Sequence, residues 1–241
     1  SWLPVMAKMP QRKDRSDPQI IANVLQVRDA ADVYRDEATP RGVSASGWAW
    51  SGKFGDLDAD GFLDLYVVNG MIDGQTLGHL PGHELVEENQ AYRNQGDGTF
   101  APARRWGLGA RESGRGLAIG DLDDDGDLDV VVNNLAANAR LFENRLCGGA
   151  HLQVDLRWPG SSNSHALGAR LALVTEAGTY RRDVVAGSGY LSGDPSRQHF
   201  GVPAGATPVR LEVVWPDGAR STVERPALST RLVVTRTEEG R

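Results

Sequence analysis

One cysteine, Cys147, stands among 241 residues. A single thiol cannot close an intrachain disulfide, so the fold must rest on packing and on any ions it holds; the thiol itself reads as buried or idle, not reactive. No run of about 18 apolar residues occurs, which leaves no ordinary membrane-crossing helix. The opening Ser1-Trp2-Leu3-Pro4-Val5-Met6 has neither the basic start nor the apolar stretch of a secretory signal, and no initiator Met. The expectation is a processed or truncated product whose missing piece carried any such signal. Phosphate-binding glycine loops, dinucleotide fingerprints and zinc-type Cys/His spacings are missing as well.

What is present is a normal core supply and an uneven distribution of acid. Hydrophobic residues make up 40% and charged residues 24%, as in globular proteins. The formal charge is -6, from 32 acidic and 26 basic residues. Ten of the aspartates sit in two short stretches; without them, 22 acids face 26 bases, an excess of four positive charges. The acidity therefore belongs to two sites and not to the surface, and no nucleic-acid footprint is indicated.

The two stretches are Gly55-Asp56-Leu57-Asp58-Ala59-Asp60-Gly61-Phe62-Leu63-Asp64 and Gly120-Asp121-Leu122-Asp123-Asp124-Asp125-Gly126-Asp127-Leu128-Asp129. Alternate aspartates aim carboxylates at one point, and the glycine permits the turn that brings the fifth and ninth positions together. Two carboxylates about 4 Å apart repel by roughly 1 kcal/mol in water and by several times that where solvent is restricted. Such loops call for a cation, and an all-oxygen cage suits calcium better than zinc or copper. By position the first set is Asp56, Asp58, Asp60 and Asp64 with the Phe62 carbonyl, and the second is Asp121, Asp123, Asp125 and Asp129 with the Asp127 carbonyl. An EF-hand would need a Glu at position twelve and flanking helices, whereas aliphatic runs follow here, so a strand leaves each loop.

The surrounding pattern repeats. After the first loop come Gln90-Ala91-Tyr92-Arg93-Asn94, a Gly-Asp-Gly turn and Thr99-Phe100; after the second comes Arg140-Leu141-Phe142-Glu143-Asn144. The repeating unit is strand, acidic loop, strand, connector, strand, turn, strand. Sixty-five positions separate Asp56 from Asp121, a period that suits four-stranded propeller blades. Asn23–Val27 and Asp32–Arg35 read as a hairpin that precedes these blades. Residues 1–21 read as an irregular segment, with a basic arm of Lys8, Arg12, Lys13 and Arg15 as the lesser alternative. In the connector, His79, His83, Glu84 and Glu87 suggest a metal cluster. Pro81-Gly82 denies the helix a metalloprotease pattern needs, so a surface loop is the reading there.

Beyond Arg145 the style changes to short alternating strands: His151–Trp158, Gly168–Val174, Tyr180–Val185, Val209–Trp215 and Arg231–Val234. Turns at Pro159-Gly160, Glu176-Ala177-Gly178 and Pro216-Asp217-Gly218 separate them, the signature of a β-sandwich.

These residues also carry family resemblances. The Gly-Asp-x-Asp-x-Asp-Gly-x-x-Asp loops, with Tyr92-Arg93-Asn94 and Gly96-Asp97-Gly98-Thr99-Phe100, resemble FG-GAP or VCBS calcium repeats, which build β-propellers including the integrin α head. Asn163–Arg170, Ala186–Ser192, Gln198-His199-Phe200-Gly201 and Val214–Gly218 resemble the ASPIC/UnbV domain. Together the two regions are similar to the bacterial relatives of cartilage acidic protein. The resemblance implies an exported, calcium-binding interaction protein located in the extracellular space, the periplasm or on the cell surface.

The expected organisation is therefore all-β: an irregular segment 1–21, a partial propeller 22–146, and an ASPIC/UnbV sandwich 147–241. A closed propeller takes about four to eight blades, and this chain supplies about two and a half. Exposed edges and blade faces invite another chain that completes or caps them, unless earlier blades have been removed. Protein recognition ranks first. Carbohydrate binding ranks second, since Trp48 and Trp50 could stack on sugars, although strand spacing favours packing for at least one of them. A hydrolase triad of Ser188, His199 and Asp194 ranks last, because Ala186 stands where a nucleophile elbow needs glycine and no helix follows.

Overall fold

A computed structural model describes residues 22–70, 86–146 and 149–237. Among these the chain is all-β, sixteen strands and one short 3-10 turn at Arg104–Trp106. The connector histidines His79 and His83, Glu84, Cys147 and the basic arm lie outside the described residues.

The first part follows the repeating pattern. Strands β1 (Gln26–Arg28) and β2 (Tyr34–Asp36) form an antiparallel hairpin. It begins later than the apolar pattern suggests, because the Asn23 N–H donates to the Ser44 carbonyl at 2.9 Å and the Leu25 N–H to the Asp36 side chain at 3.1 Å, outside the β1–β2 ladder. Strands β3 (Ala49–Gly55), β4 (Asp64–Asn69), β5 (Gln90–Asn94) and β6 (Phe100–Pro102) follow one another in a four-stranded sheet, one full blade. Strands β7 (Gly114–Gly120), β8 (Asp129–Asn134) and β9 (Arg140–Phe142) form a three-stranded sheet, a blade short of its last strand. Hairpin, full blade and incomplete blade are the count the sequence leads one to expect. Each acidic loop joins the first two strands of its blade.

The C-terminal part is two sheets over one core. Strands β10 (Ala150–Arg157), β13 (Gln198–Val202) and β16 (Thr230–Thr235) run in the order β13-β10-β16, with β10 and β16 parallel. Strands β11 (Arg170–Thr175), β12 (Thr179–Asp183), β14 (Pro208–Val214) and β15 (Arg220–Glu224) run in the order β12-β11-β14-β15. Period-two alternation turns Leu152, Val154 and Leu156 inward against Leu171, Leu173, Phe200, Leu211 and Val213, all buried in one cluster. Trp215 is 2% exposed, donates its indole N–H to Ser221 Oγ at 2.8 Å and meets Trp158 edge-on at 6.3 Å. Trp215→Ala should therefore lower stability by about 3–5 kcal/mol, read by urea unfolding. Two strands escaped the sequence pattern: β15 alternates without large apolar residues, and β13 carries polar residues and a glycine.

Two compact units interleave along the chain. One gathers the described residues within Ser1–Gly52, Leu65–Gly116 and Val132–Arg140. One buried cluster in it is Ala38, Val43, Val67 and Tyr92. The other gathers Lys53–Asp64, Leu117–Val131 and the described part of Leu141–Arg241. Both acidic loops thus belong to the unit that holds the sandwich.

Candidate metal centre

The two loops share one hydrogen-bond frame. Asp56 Oδ2 accepts the Gly61 N–H at 3.0 Å, and Asp121 Oδ2 accepts the Gly126 N–H at 3.0 Å. Asp64 Oδ2 accepts the Leu57 N–H at 2.9 Å, and Asp129 Oδ2 accepts the Leu122 N–H at 3.0 Å. The first and ninth positions are therefore clamped to the loop backbone in both copies. The bend uses two left-handed residues per loop, Ala59 (φ 53°) with Gly61 (φ 94°), and Asp124 (φ 61°) with Gly126 (φ 102°). The glycines also leave room for the sandwich. A Cβ on Gly61 would lie 2.4 Å from the Tyr180 ring, and one on Gly126 would lie 1.9 Å from His151.

Asp56, Asp58 and Asp64 bring one ligand atom each to within 4.8 Å of one another, and so do Asp121, Asp123 and Asp129. The fifth-position carboxylates do not join these groups. Asp60 Oδ1 accepts the Phe62 N–H at 3.0 Å, and Asp125 Oδ1 accepts the Asp127 N–H at 3.1 Å. Phe62 and Asp127 thus donate their backbone amides to the fifth-position carboxylates. Asp56 Oδ1 and Asp121 Oδ1 are buried and have no hydrogen-bond partner. Three converging carboxylates, one of them with an unsatisfied buried oxygen, fit a hard, oxygen-seeking cation. Burial pushes the Asp56 carboxyl up to about 7, with the Arg182 guanidinium opposing and Asp60 and Asp58 assisting. Burial, then the Asp125 and Asp129 charges, push Asp127 up to about 7 as well.

Residues beyond the loops hold this arrangement, and pattern reading of the sequence did not assign them to it. Asn144 Nδ2 donates to the Leu57 carbonyl at 2.7 Å and to the Leu128 carbonyl at 3.1 Å, so one amide spans both loops. Its N–H donates to Asp129 Oδ1 at 2.9 Å. From the sandwich, the Gly201 N–H reaches Asp56 Oδ2 at 3.0 Å, and Arg182 stands 3.6 Å from the same oxygen. The Gln153 side-chain amide donates to Asp121 Oδ2, and Arg197 pairs with Asp124 at 2.8 Å. His199 Nε2 lies 2.9 Å from the Gly126 carbonyl, which can only accept, so Nε2 carries the proton. Burial lowers that imidazole to about 4 and keeps it neutral.

This geometry bears on the triad reading. The Ser188 hydroxyl does donate to Asp194 Oδ2, and Asp194 Oδ1 takes Lys53 Nζ at 2.5 Å. His199 is engaged at Gly126 instead, so the three residues do not assemble. Of the two tryptophans before the first loop, Trp48 is 38% exposed, whereas Trp50 donates to the Gly70 carbonyl and lies under Arg115 at 4.1 Å. Glu87, from the connector cluster, accepts the Trp48 N–H.

Blades with acidic loops, followed by a sandwich, define an all-β repeat protein whose acidic clusters could bind a metal ion. Residues 154–241 match the model of the ASPIC and UnbV family, and residues 83–132 match that of an FG-GAP-like repeat. The chain is an ASPIC/UnbV-domain protein with FG-GAP repeats. The second acidic loop lies within the matched repeat; the first lies before it and reproduces its bonding. No curated protein matches the chain. FG-GAP and ASPIC/UnbV domains are in general non-catalytic interaction domains, FG-GAP repeats often bind calcium, and such repeat domains are typically extracellular. Among the described residues no helix is long and apolar enough to cross a membrane.

Proposed function

We propose that the chain is a calcium-stabilised protein-interaction module acting outside the cytoplasm, as an assembly or adhesion unit. One ion is held by Asp56, Asp58, Asp60 and Asp64 with the Phe62 carbonyl, and the other by Asp121, Asp123, Asp125 and Asp129 with the Asp127 carbonyl. One observation carries this reading: in both loops the first carboxylate ties one oxygen to the backbone and keeps the other buried without a partner. The ion neutralises the aspartates and fixes the link between two strands. The repeat region spans 22–146 and the ASPIC/UnbV domain 147–241. The partner is another polypeptide that pairs with or caps the open blades. Support for it comes from β9, the edge strand of the three-stranded sheet, whose Leu141 is 63% exposed. No observation raises the carbohydrate reading to the same level, since Trp50 and Trp215 are committed to packing.

Proton linkage provides the test. Without the ion, Asp56 titrates near 7 in the fold against 3.8 for a free carboxyl. Its folded value is raised, so the stability it contributes is complete below about pH 4 and is lost as pH rises through 7. Calcium binds the ionised form. Calorimetric titration at pH 6 in buffers of different ionisation heat should show about one proton released as the loop-one site fills, and at pH 8.5 almost none from that site. Absence of calcium binding overturns the reading; a binding heat at pH 6 that is the same in every buffer overturns only the raised Asp56 carboxyl.

A further inference from the structure

We propose that the outer face of the sheet containing β10 and β13 belongs to both ion sites, with Gly201 positioning the first carboxylate of loop one and Gln153 that of loop two. The inference rests on the calcium reading above. On β10 the inward residues Leu152, Val154 and Leu156 enter the core, so Gln153 points to the opposite face, with His199 its register partner on β13 and Gly201 paired to His151. An outward face of a sandwich ordinarily meets water, yet Gln153 is 4% exposed and His199 8%. Both meet the second acidic loop, Gln153 at Asp121 and His199 at Gly126.

The contacts fall on the same atom in each loop. In loop one the amide of Gly201 and the Arg182 guanidinium meet Asp56 Oδ2. In loop two the Gln153 amide meets Asp121 Oδ2. Each time Oδ2 is the oxygen that is held, and Oδ1 stays buried without a hydrogen-bond partner, the atom open to an ion. A carboxylate that cannot rotate presents its ligand atom without an ordering cost, which is how outer contacts raise metal affinity. The holders are themselves fixed. Gln153 Oε1 accepts Arg197 at 3.1 Å, which sets which way its amide points. Arg182 donates to the His199 carbonyl at 2.8 Å and lies over the Phe200 ring at 5.0 Å. At Gly201 no side chain fits: a Cβ would lie 2.3 Å from Asp56 Oδ2 and 2.5 Å from Ala59 Cα. The ions are thereby sites of the composite of repeat and sandwich, and not of the repeat alone.

Calcium titration of the full chain tests this, with Asp58→Ala and Asp123→Ala assigning the two constants to their loops. Gly201→Ala should weaken the loop-one site at least tenfold and leave the loop-two site unchanged. Gln153→Leu should do the reverse, by a factor of about 10–100 as for other outer contacts. A role confined to holding the fold together would weaken both sites alike. Two constants that shift equally, or not at all, overturn the inference while leaving the calcium reading in place. A wild-type chain that binds no calcium overturns both. Should Gly201→Ala fail to fold, Gln153→Leu alone decides, because it removes the donor to Asp121 and the acceptor of Arg197 without placing a Cβ against the backbone of loop one.

Discussion

Saturating calcium is expected to raise the melting temperature by roughly 8–16 °C per occupied site, and chelator to remove the gain. A free ion concentration a thousandfold above its dissociation constant contributes about 4 kcal/mol per independent site, and 1 kcal/mol moves the midpoint of a domain this size by about 2–4 °C. Weaker sites of extracellular type would give proportionally less. Three ligand atoms of each loop lie within 4.8 Å of one another, so without an ion the loops retain the mutual repulsion of their carboxylates. Both loops join the first and second strands of a blade and share a compact unit with the sandwich. Trp215, in the sandwich core, should therefore report the shift by fluorescence. The variants sharpen the expectation. Asp58→Ala and Asp123→Ala should each lose one site's share in calcium and change little in chelator, because the side chain removed works through the ion. Calorimetric scans that find equal losses in both conditions leave the ion no structural role.

Much of this architecture was legible in the residues. The two Asp-rich loops, the strand after each, and the count of a hairpin, a full blade and an incomplete blade follow from spacing and turn chemistry. So do most sandwich strands, because Leu152, Val154 and Leu156 or Leu171 and Leu173 alternate cleanly. What stayed hidden has a common physical cause. Alternation tells which side of a strand faces the apolar core, but it does not distinguish an outer face in water from one covered by a polar loop. Gln153 and His199 look like solvent positions on that criterion and are nearly inaccessible. The stretch Gln198-His199-Phe200-Gly201, which carries family likeness and, at His199, the triad reading, contains two of the residues that touch the acidic loops. Gly61 and Gly126 read as turn residues; their second duty, giving Tyr180 and His151 room, depends on elements far away in sequence. Ala59 and Asp124 adopt left-handed backbone where local propensity would not put an alanine.

Lys53 shows the same limit in a charged residue, and it supports the other large expectation. It alternates with Ser51 and Gly55 on the buried side of β3, a face where an ammonium is costly unless paired. Its partner is Asp194, 141 positions away, at 2.5 Å. The same carboxylate accepts the Ser188 hydroxyl and, at 3.4 Å, the Ile119 N–H. The two partners are unequal in exposure: the Lys53 side chain is 2% exposed and that of Asp194 25%. Their removal should be unequal too. Asp194→Ala strands a buried ammonium and should lower stability by about 3–5 kcal/mol. Lys53→Met removes the buried charge, and the carboxylate left behind keeps its hydroxyl donor and some water, so the loss should be smaller, about 1–3 kcal/mol. The double variant should recover most of what Asp194→Ala loses, because no unpaired charge remains inside. Urea unfolding of the four proteins forms a double-mutant cycle whose coupling energy reads the pair directly. Losses that simply add would mean that Lys53 and Asp194 act independently, and that the loop between β12 and β13 is held by something other than this pair.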